Sequence, residues 1–364
     1  MCKWRQLIAV ALTAGLVSCS QLPRSQPGEQ AGEQPGVLTV MPEALSNNAV
    51  AALMVRGHPM LYSFSGLGAG KTRADITSSA YAYDIDADTW TRLPDIPGNR
   101  HRLASVAVGL NDRVFLFGGY TVAEGGTEVS TPEVYAFNPL TNEYQPRADM
   151  PVPVDDAVAF AYAGRYIYLV SGWHDTGNVA DVQVLDTREN RWFAATPYPG
   201  APVFGHAGGI VGNRIVIADG VKVTGVVDGR RQFGISDETW MGVIDPGNPA
   251  IIRWQALAAH PGKPLYRMAA TGSARLGSVV FVGGSENPYN FNGMGYNGQP
   301  SEPSGRALVF DLGRAGWSAT DFPTPTMDHR GLPEIDGVFY VIGGMRTGQE
   351  VSGNVHALEF QETD

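Results

Sequence analysis

A short apolar strand ending in a glycine pair, or in a one-residue variant of such a pair, recurs six times along the chain. The copies are YSFSG (62–66), VFLFGG (114–119), YLVSG (168–172), IVIADG (215–220), VVFVGG (279–284) and FYVIGG (339–344). Their last glycines stand at 66, 119, 172, 220, 284 and 344. A near-regular period of this kind marks a repeat architecture, in which each repeat is one supersecondary unit that buries its faces only against its neighbours.

A second marker follows each of the first five copies. An alternating strand runs through a turn into an aromatic residue: AYAYDIDADTW to Trp90, VYAFNPLTNEY to Tyr144, VQVLDTRENRW to Trp192, MGVIDPGNPAIIRW to Trp254 and ALVFDLGRAGW to Trp317. Apolar strands on either side of an Asp- or Asn-containing turn read as a hairpin. Each outer strand then meets a proline, at 97, 151, 199, 261 and 323. The chain holds 45 glycines and 25 prolines, with charged residues at 17%, as a turn-rich, strand-rich protein requires.

In phase, these features resemble the Kelch repeat, with its Gly-Gly after the second strand and its aromatic residues on the outer strands. The resemblance covers roughly residues 37–360 and implies an all-β, six-bladed Kelch-type β-propeller. The sixth repeat lacks its outer strand, because after Gly343-Gly344 only VHALEF (355–360) remains. The missing piece lies at the other end. VLTVMP (37–42) ends in Pro42, which precedes Ser65 by nearly the same interval as Pro97 precedes Gly118 and Pro151 precedes Ser171. An N-terminal strand is therefore expected to complete the last blade, closing the ring and removing the open edges that invite aggregation.

The first residues read as an address. Lys3 and Arg5 precede an apolar run from Leu7 to Val17, too short to span a bilayer but suited to an export signal. The run ends in Leu16-Val17-Ser18-Cys19, which resembles the bacterial lipobox. That resemblance implies a lipoprotein signal peptide over 1–18 and lipidation of Cys19. It further implies a protein of the bacterial cell envelope, with Ser20 pointing to the outer membrane facing the periplasm. Residues 19–36 are polar and rich in Pro, Gly and Gln, and are expected to form a flexible tether, with the propeller over 37–364. Contact with a membrane is expected through the lipid alone.

Net charge is −10, and a surface of that sign repels phosphate backbones, so no nucleic-acid partner is expected. The only cysteines are Cys2 and Cys19, so the propeller itself offers no disulfide, no thiolate ligand and no thiol nucleophile. That excludes the copper radical chemistry of galactose oxidase, another Kelch propeller, which needs a cysteine cross-linked to tyrosine.

The turns between first and second strands are tight, whereas the connections between second and third strands are long: 67–79, 120–131, 173–180, 221–236, 285–304 and 345–353. One face of the ring is thus built up, and long loops on a rigid scaffold are where binding concentrates. The loop 285–304 carries Asn287, Tyr289, Asn290 and Tyr296 with almost no charge. Amides with aromatic rings suit a sugar; equally, such a loop can satisfy its own backbone. Kelch repeats commonly place an Arg at a fixed interval before the first glycine of the pair. Arg102 and Arg267 meet that spacing, Asp155 takes the third place, and His206, His329 and Arg330 fall close to it. Converging on one mouth they suit a polar small molecule, acidic ones included; alternatively they pair with one another. His101, His206 and His329 begin alternate blades, but no ligand spacing supports a metal, and neither metal nor cofactor is expected.

Two functions follow. The first is a monomeric, tethered binding propeller whose partner is a small sugar, a glycan or a protein. The second comes from a distant similarity to the bacterial N-acetylneuraminate epimerases (sialic acid mutarotases), which implies isomerase chemistry by a carboxylate and a basic partner. Arg230 and Arg231 lie in the loop where that family has its Arg. The acid aligned with the family is absent, since Asp219-Gly220 is followed by Val221, which leaves Asp219, Asp155 or Glu286 as stand-ins.

Overall fold

The computed structural model describes residues 36–98 and 101–360. Six four-stranded antiparallel sheets form the six blades. From inside outward, blade 1 is Ala49–Val55, His58–Leu67, Ile76–Asp84 and Thr89–Leu93, and blade 2 is Val106–Leu110, Arg113–Phe117, Val134–Asn138 and Glu143–Pro146. Blade 3 is Val158–Tyr162, Tyr166–Val170, Val182–Asp186 and Arg191–Ala194. Blade 4 is Ala207–Val211, Arg214–Ala218, Thr239–Asp245 and Asn248–Leu257, and blade 5 is Ala269–Ser273, Ser278–Val282, Ser304–Asp311 and Gly316–Thr326. Blade 6 takes Glu334–Ile335, Val338–Ile342 and Val355–Glu359 from the C-terminal end, and its outer strand, Gly36–Val37, from the N-terminal end. Gly36 pairs with Ala357 and Val37 with His356, so the N-terminal end closes the ring as expected, although the paired strand is Gly36–Val37, starting in the expected tether, and not 37–42. The proposed signal over 1–18, the lipidated Cys19 and nearly all of the tether lie outside the described residues.

The repeated strand is apolar on every position because each blade is covered on both faces by its neighbours. Ile215, Val216, Ile217 and Ala218 are all buried, the odd positions packing toward blade 3 and the even ones toward blade 5. The outer aromatics do two things at once. Their rings fill the gap between blades, and each donates one hydrogen bond to a carbonyl of the preceding blade: Trp90 to Thr39, Tyr144 to Pro94, Trp192 to Ala148, Trp254 to Thr196 and Trp317 to Ala258, at 2.8–3.3 Å. The Trp90 bond crosses the seam where the ring closes.

The second glycine of each pair is required by a close approach. It sits where the second strand passes the segment leading into its own inner strand, and a two-bond backbone bridge follows it in every blade: Ser46 with Leu67, Leu103 with Tyr120, Asp155 with Trp173, Phe204 with Val221, Tyr266 with Ser285, and Met327 with Met345. At Gly119, φ is +88° and a Cβ would stand 2.4 Å from the Leu103 carbonyl oxygen. Gly119→Ala is therefore expected to cost about 2 kcal/mol, from left-handed strain and overlap together. A urea-unfolding midpoint unchanged from wild type would contradict this.

The long connections are more ordered than bare loops. Four carry two-stranded ribbons: Tyr120–Val122 with Glu128–Ser130, Trp173–His174 with Gly177–Asn178, Val221–Val227 with Arg230–Ile235, and Met345–Arg346 with Glu350–Val351. All rise on the same face.

Candidate functional site

Next to each backbone bridge, one residue per blade adopts left-handed geometry: Asn47, Ala104, Asp156, Gly205, Arg267 and Asp328, with φ between +52° and +71°. This kink turns the backbone N–H and C=O sideways, so neighbouring blades bond to one another around the axis. Asp156 N–H donates to Ala104, Gly205 to Asp156, Arg267 to Gly205, His329 to Arg267 and Asn47 to Asp328. The Asn47 side chain completes the circle by accepting from Ala104 N–H at 2.5 Å. The result is a collar that narrows the central channel near its loop face.

Four charged side chains fill the collar. Arg267 Nε and Nη2 donate to the two oxygens of Asp156 at 3.1 and 2.6 Å, and its Nη1 donates to Asp328 Oδ1 at 2.9 Å. Arg330 Nη1 pairs with Asp156 Oδ1, and Asn47 Nδ2 donates to Asp328 Oδ1 at 3.0 Å. The Arg267 side chain is only 3% exposed. Its Cζ lies 4.7 Å from the ring centre of Tyr266 and 5.4 Å from that of Tyr289. Charges buried this deeply persist because they are paired and hydrogen-bonded on several sides.

Above the collar opens a cavity of about 380 Å³. One wall is aromatic. Trp173 packs against Phe204 at 5.4 Å, Phe204 against Phe233 at 5.9 Å, and Phe233 lies nearly face to face with Tyr296 at 4.4 Å and 31°. Facing the cavity are the carboxyl groups of Glu128, Asp155 and Asp175, with Asn290 at the rim and Arg231 reaching over the Trp173 ring at 5.3 Å. The floor is Asp156 and Arg267.

Two adjacent carboxyls in this floor and wall have opposite fates. Burial opposes the charge on Asp156, but Arg267 and then Arg330 outweigh it and hold its pKa below the usual value. Asp155 is equally buried without a direct cationic partner. Desolvation, and then the charge of Asp156, push its pKa well above the carboxylate range, while Ser130 Oγ donates to its Oδ2 at 2.6 Å. Glu128 stands at the exposed rim, yet desolvation by the surrounding walls raises its pKa as well. Pairs of carboxyls whose surroundings drive them apart in this way are the raw material of acid–base catalysis.

Of the ten residues that the sequence nominates, Asp155, Arg267, Asn290 and Tyr296 line this cavity. Tyr289 lies beneath it, fully buried, with its ring 5.0 Å from that of Tyr266. Asn287 is turned to its own loop, donating to Asn297 Oδ1 and to the Gln299 carbonyl at 3.2 Å. Arg102 is not in register with Arg267: Ala104 holds the equivalent place, and Arg102 turns to the Gly118 carbonyl at 3.3 Å and to Glu133 at 3.5 Å. The fixed count fails because the distance from collar residue to glycine pair varies: Ala104 stands closer in sequence to Gly118 than Asn47 does to Ser65. His206 and His329 fall below the collar, in a channel of about 230 Å³ otherwise walled largely by Ala, Val and Gly; Arg330 also borders this channel, with its guanidinium in the collar against Asp156. Burial pushes His206 down to about 4 and His329 to about 3, so both are neutral there.

Of the stand-in acids, Asp219 faces the next blade, accepting from Leu265 N–H at 2.6 Å and pairing with His260 at 2.7 Å. Glu286 is exposed and pairs with Lys263 and Arg306. Only Asp155 faces the cavity. Glu128, Trp173, Phe204 and Phe233 were not nominated. Tyr120 and Trp173 directly follow their glycine pairs, so the repeat register itself could have found them.

Compared with known proteins, residues 50–284 match the family model described as the KLHDC2/KLHL20/DRC7 Kelch-repeats domain. Kelch-like protein 15 of Gallus gallus is 31% identical over 134 residues, 36% of this chain and 26% of that protein. The Kelch-like protein terF of Aspergillus terreus is 28% identical over 217 residues, 56% of this chain and 46% of that protein. The chain thus spans between a quarter and a half of the length of these relatives. Among solved structures, that of YjhT superposes with a TM-score of 0.72 at 16% identity, covering 90% of this chain and 98% of the other, a likeness of fold.

Proposed function

The chain belongs to the Kelch-repeat family, and from that premise we propose that its propeller binds a small sugar, free or at the end of a glycan, in the cavity above the collar. One observation carries this reading: a wall of contiguous aromatic rings facing carboxyl groups across a space of about 380 Å³. Sugar C–H faces pack on aromatic rings, and sugar hydroxyls donate to carboxylates. The sequence supports the setting, a monomer tethered to the bacterial outer membrane through a lipid on Cys19. A thermal-shift screen over monosaccharides, N-acetylneuraminate among them, tests the reading. Absence of a shift with every sugar would move the assignment to a protein partner at the loop face.

The opposite protonation of Asp155 and Asp156 favours a second reading, a mutarotase or epimerase acting on a bound sugar. Asp155, neutral and desolvated, would deliver a proton to the ring oxygen and recover one from the anomeric hydroxyl. On this reading Asp155→Asn slows anomer exchange, followed by NMR, by about 10²–10⁴-fold. The fold should be preserved, because Asn mimics the neutral carboxyl. The pH dependence has a definite sign. Folding raises the pKa of Asp155, so unfolding releases its proton, and the wild type loses stability as pH climbs from about 4 toward the folded value. Asp155→Asn removes that component, so the variant gains on the wild type as pH rises. A constant difference in urea midpoint between pH 4 and 8 would contradict the assignment.

A further inference from the structure

Arginines at a propeller mouth suggest an acidic ligand, but the charges of this mouth are already distributed. Arg267 is engaged by Asp156 and Asp328, and Arg330 by the same two carboxylates from the lower side of the collar. Of the charged groups lining the cavity among the described residues, this leaves Glu128, Asp155 and Asp175 against Arg231 alone. Arg231 comes from the exposed ribbon Arg230–Ile235 and rests on the Trp173 ring, so the protein's own cation already occupies an aromatic face of the wall. Ser130, the donor to Asp155, is neutral and leaves the carboxyl without a positive partner.

Aromatic rings opposite carboxyl groups form an arrangement that can hold an ammonium group: the rings offer negative faces, and a cation beside Asp155 and Glu128 favours their charged form, so each can give up its proton to solvent as the ligand enters and then balance it. We infer that the cavity selects a ligand carrying a protonated amine, seated between the carboxyls of Asp155 and Glu128 and the Trp173 ring face that Arg231 now covers, with Phe233 and Tyr296 lining the same space. The inference rests on the cavity assigned above as the binding site, and within the sugar reading it names an amino sugar as the class. Arg231 then acts as a built-in competitor that the ligand displaces from Trp173.

Calorimetric titration of the whole protein with matched probes tests this. Glucosamine is expected to bind at least tenfold more tightly than glucose or N-acetylglucosamine, with N-acetylneuraminate the weakest. Arg231→Ala should tighten glucosamine binding about threefold, since it frees the Trp173 face and removes a repelling charge. Asp155→Asn, which keeps the shape of the neutral carboxyl but cannot ionise, should weaken it at least tenfold, and Trp173→Leu should give a similar loss. Equal affinity for the amine and its acetylated partner overturns the inference while leaving the sugar reading intact. Tighter binding of N-acetylneuraminate, lost in Arg231→Ala, overturns it in favour of an acidic ligand. If every sugar is silent, the sugar reading fails, and benzylamine against benzyl alcohol then decides: at least tenfold tighter binding of the amine upholds the inference, and equal or no binding of both overturns it.

Discussion

Replacement of Arg267 by methionine is expected to destabilise the protein by about 3–5 kcal/mol, the usual cost of removing one partner from a buried charge network. Methionine fills much of the space but leaves Asp156 facing Arg330 alone and deprives Asp328 of its Arg267 donor, in a setting where these side chains are at most 3% exposed. The melting temperature should fall on the order of 5–10 °C. Adding Asp156→Asn to this variant should recover part of the loss, since the uncompensated charge is then gone. Calorimetry of the single and double variants measures both effects. A single-variant shift under about 2 °C would mean that the collar is held by its backbone bonds and that the ion pairs add little.

A chain begun at Glu43 in place of Pro35 should suffer more, by on the order of 5 kcal/mol, and should aggregate. The lost segment buries Met41, packs Leu38 beside Tyr340 and Val355, and donates from Leu38 and Met41 to the carbonyls of Val355 and Gly353 at 3.1 and 2.8 Å. Thr39 ties blade 1 across the seam by donating to Asp88 and accepting from Trp90, both at 2.9 Å. Buried apolar side chains are worth about 1.5–3 kcal/mol each and such hydrogen bonds about 1 kcal/mol each. Their loss also bares the edge of Val355–Glu359, an unpaired strand open to other chains. Scanning calorimetry with light scattering follows both consequences, and a monodisperse shortened protein with an unchanged melting temperature would show that the seam is not needed.

How much of this was legible beforehand depends on the kind of feature. The blades were readable because the same local problem is solved six times: Gly66, Gly119, Gly172, Gly220, Gly284 and Gly344 each sit against a segment of their own blade. The closing strand was readable because Pro42 holds its phase. The collar was not. It depends on left-handed geometry at residues as different as Ala104, Asp156 and Arg267, and no residue type marks such a position. Counting backwards from the glycines placed Arg267 and Asp155 at the mouth but misplaced Arg102, because inner hairpins differ in length. The carboxyl of Glu128 and the rings of Phe233 and Tyr296 reach the cavity from three separate connections. Composition gives each loop its chemistry, but the ribbons of two of these loops and the isolated bridges within 285–304 bring those groups together.

The collar has one more consequence. Because Asp156 and Arg267 plug the axis, the cavity above them is a well and not a groove. A groove lets a polymer lie through it and reads an extended stretch; a well with a floor admits what projects from a molecule, an end or a protruding side group. On the sugar-binding proposal, a glycan engaged here would enter by an end or a branch, and a product formed in the well would have to back out through the opening by which the next molecule arrives. Turnover, if the second reading holds, would then be subject to blocking by its own product.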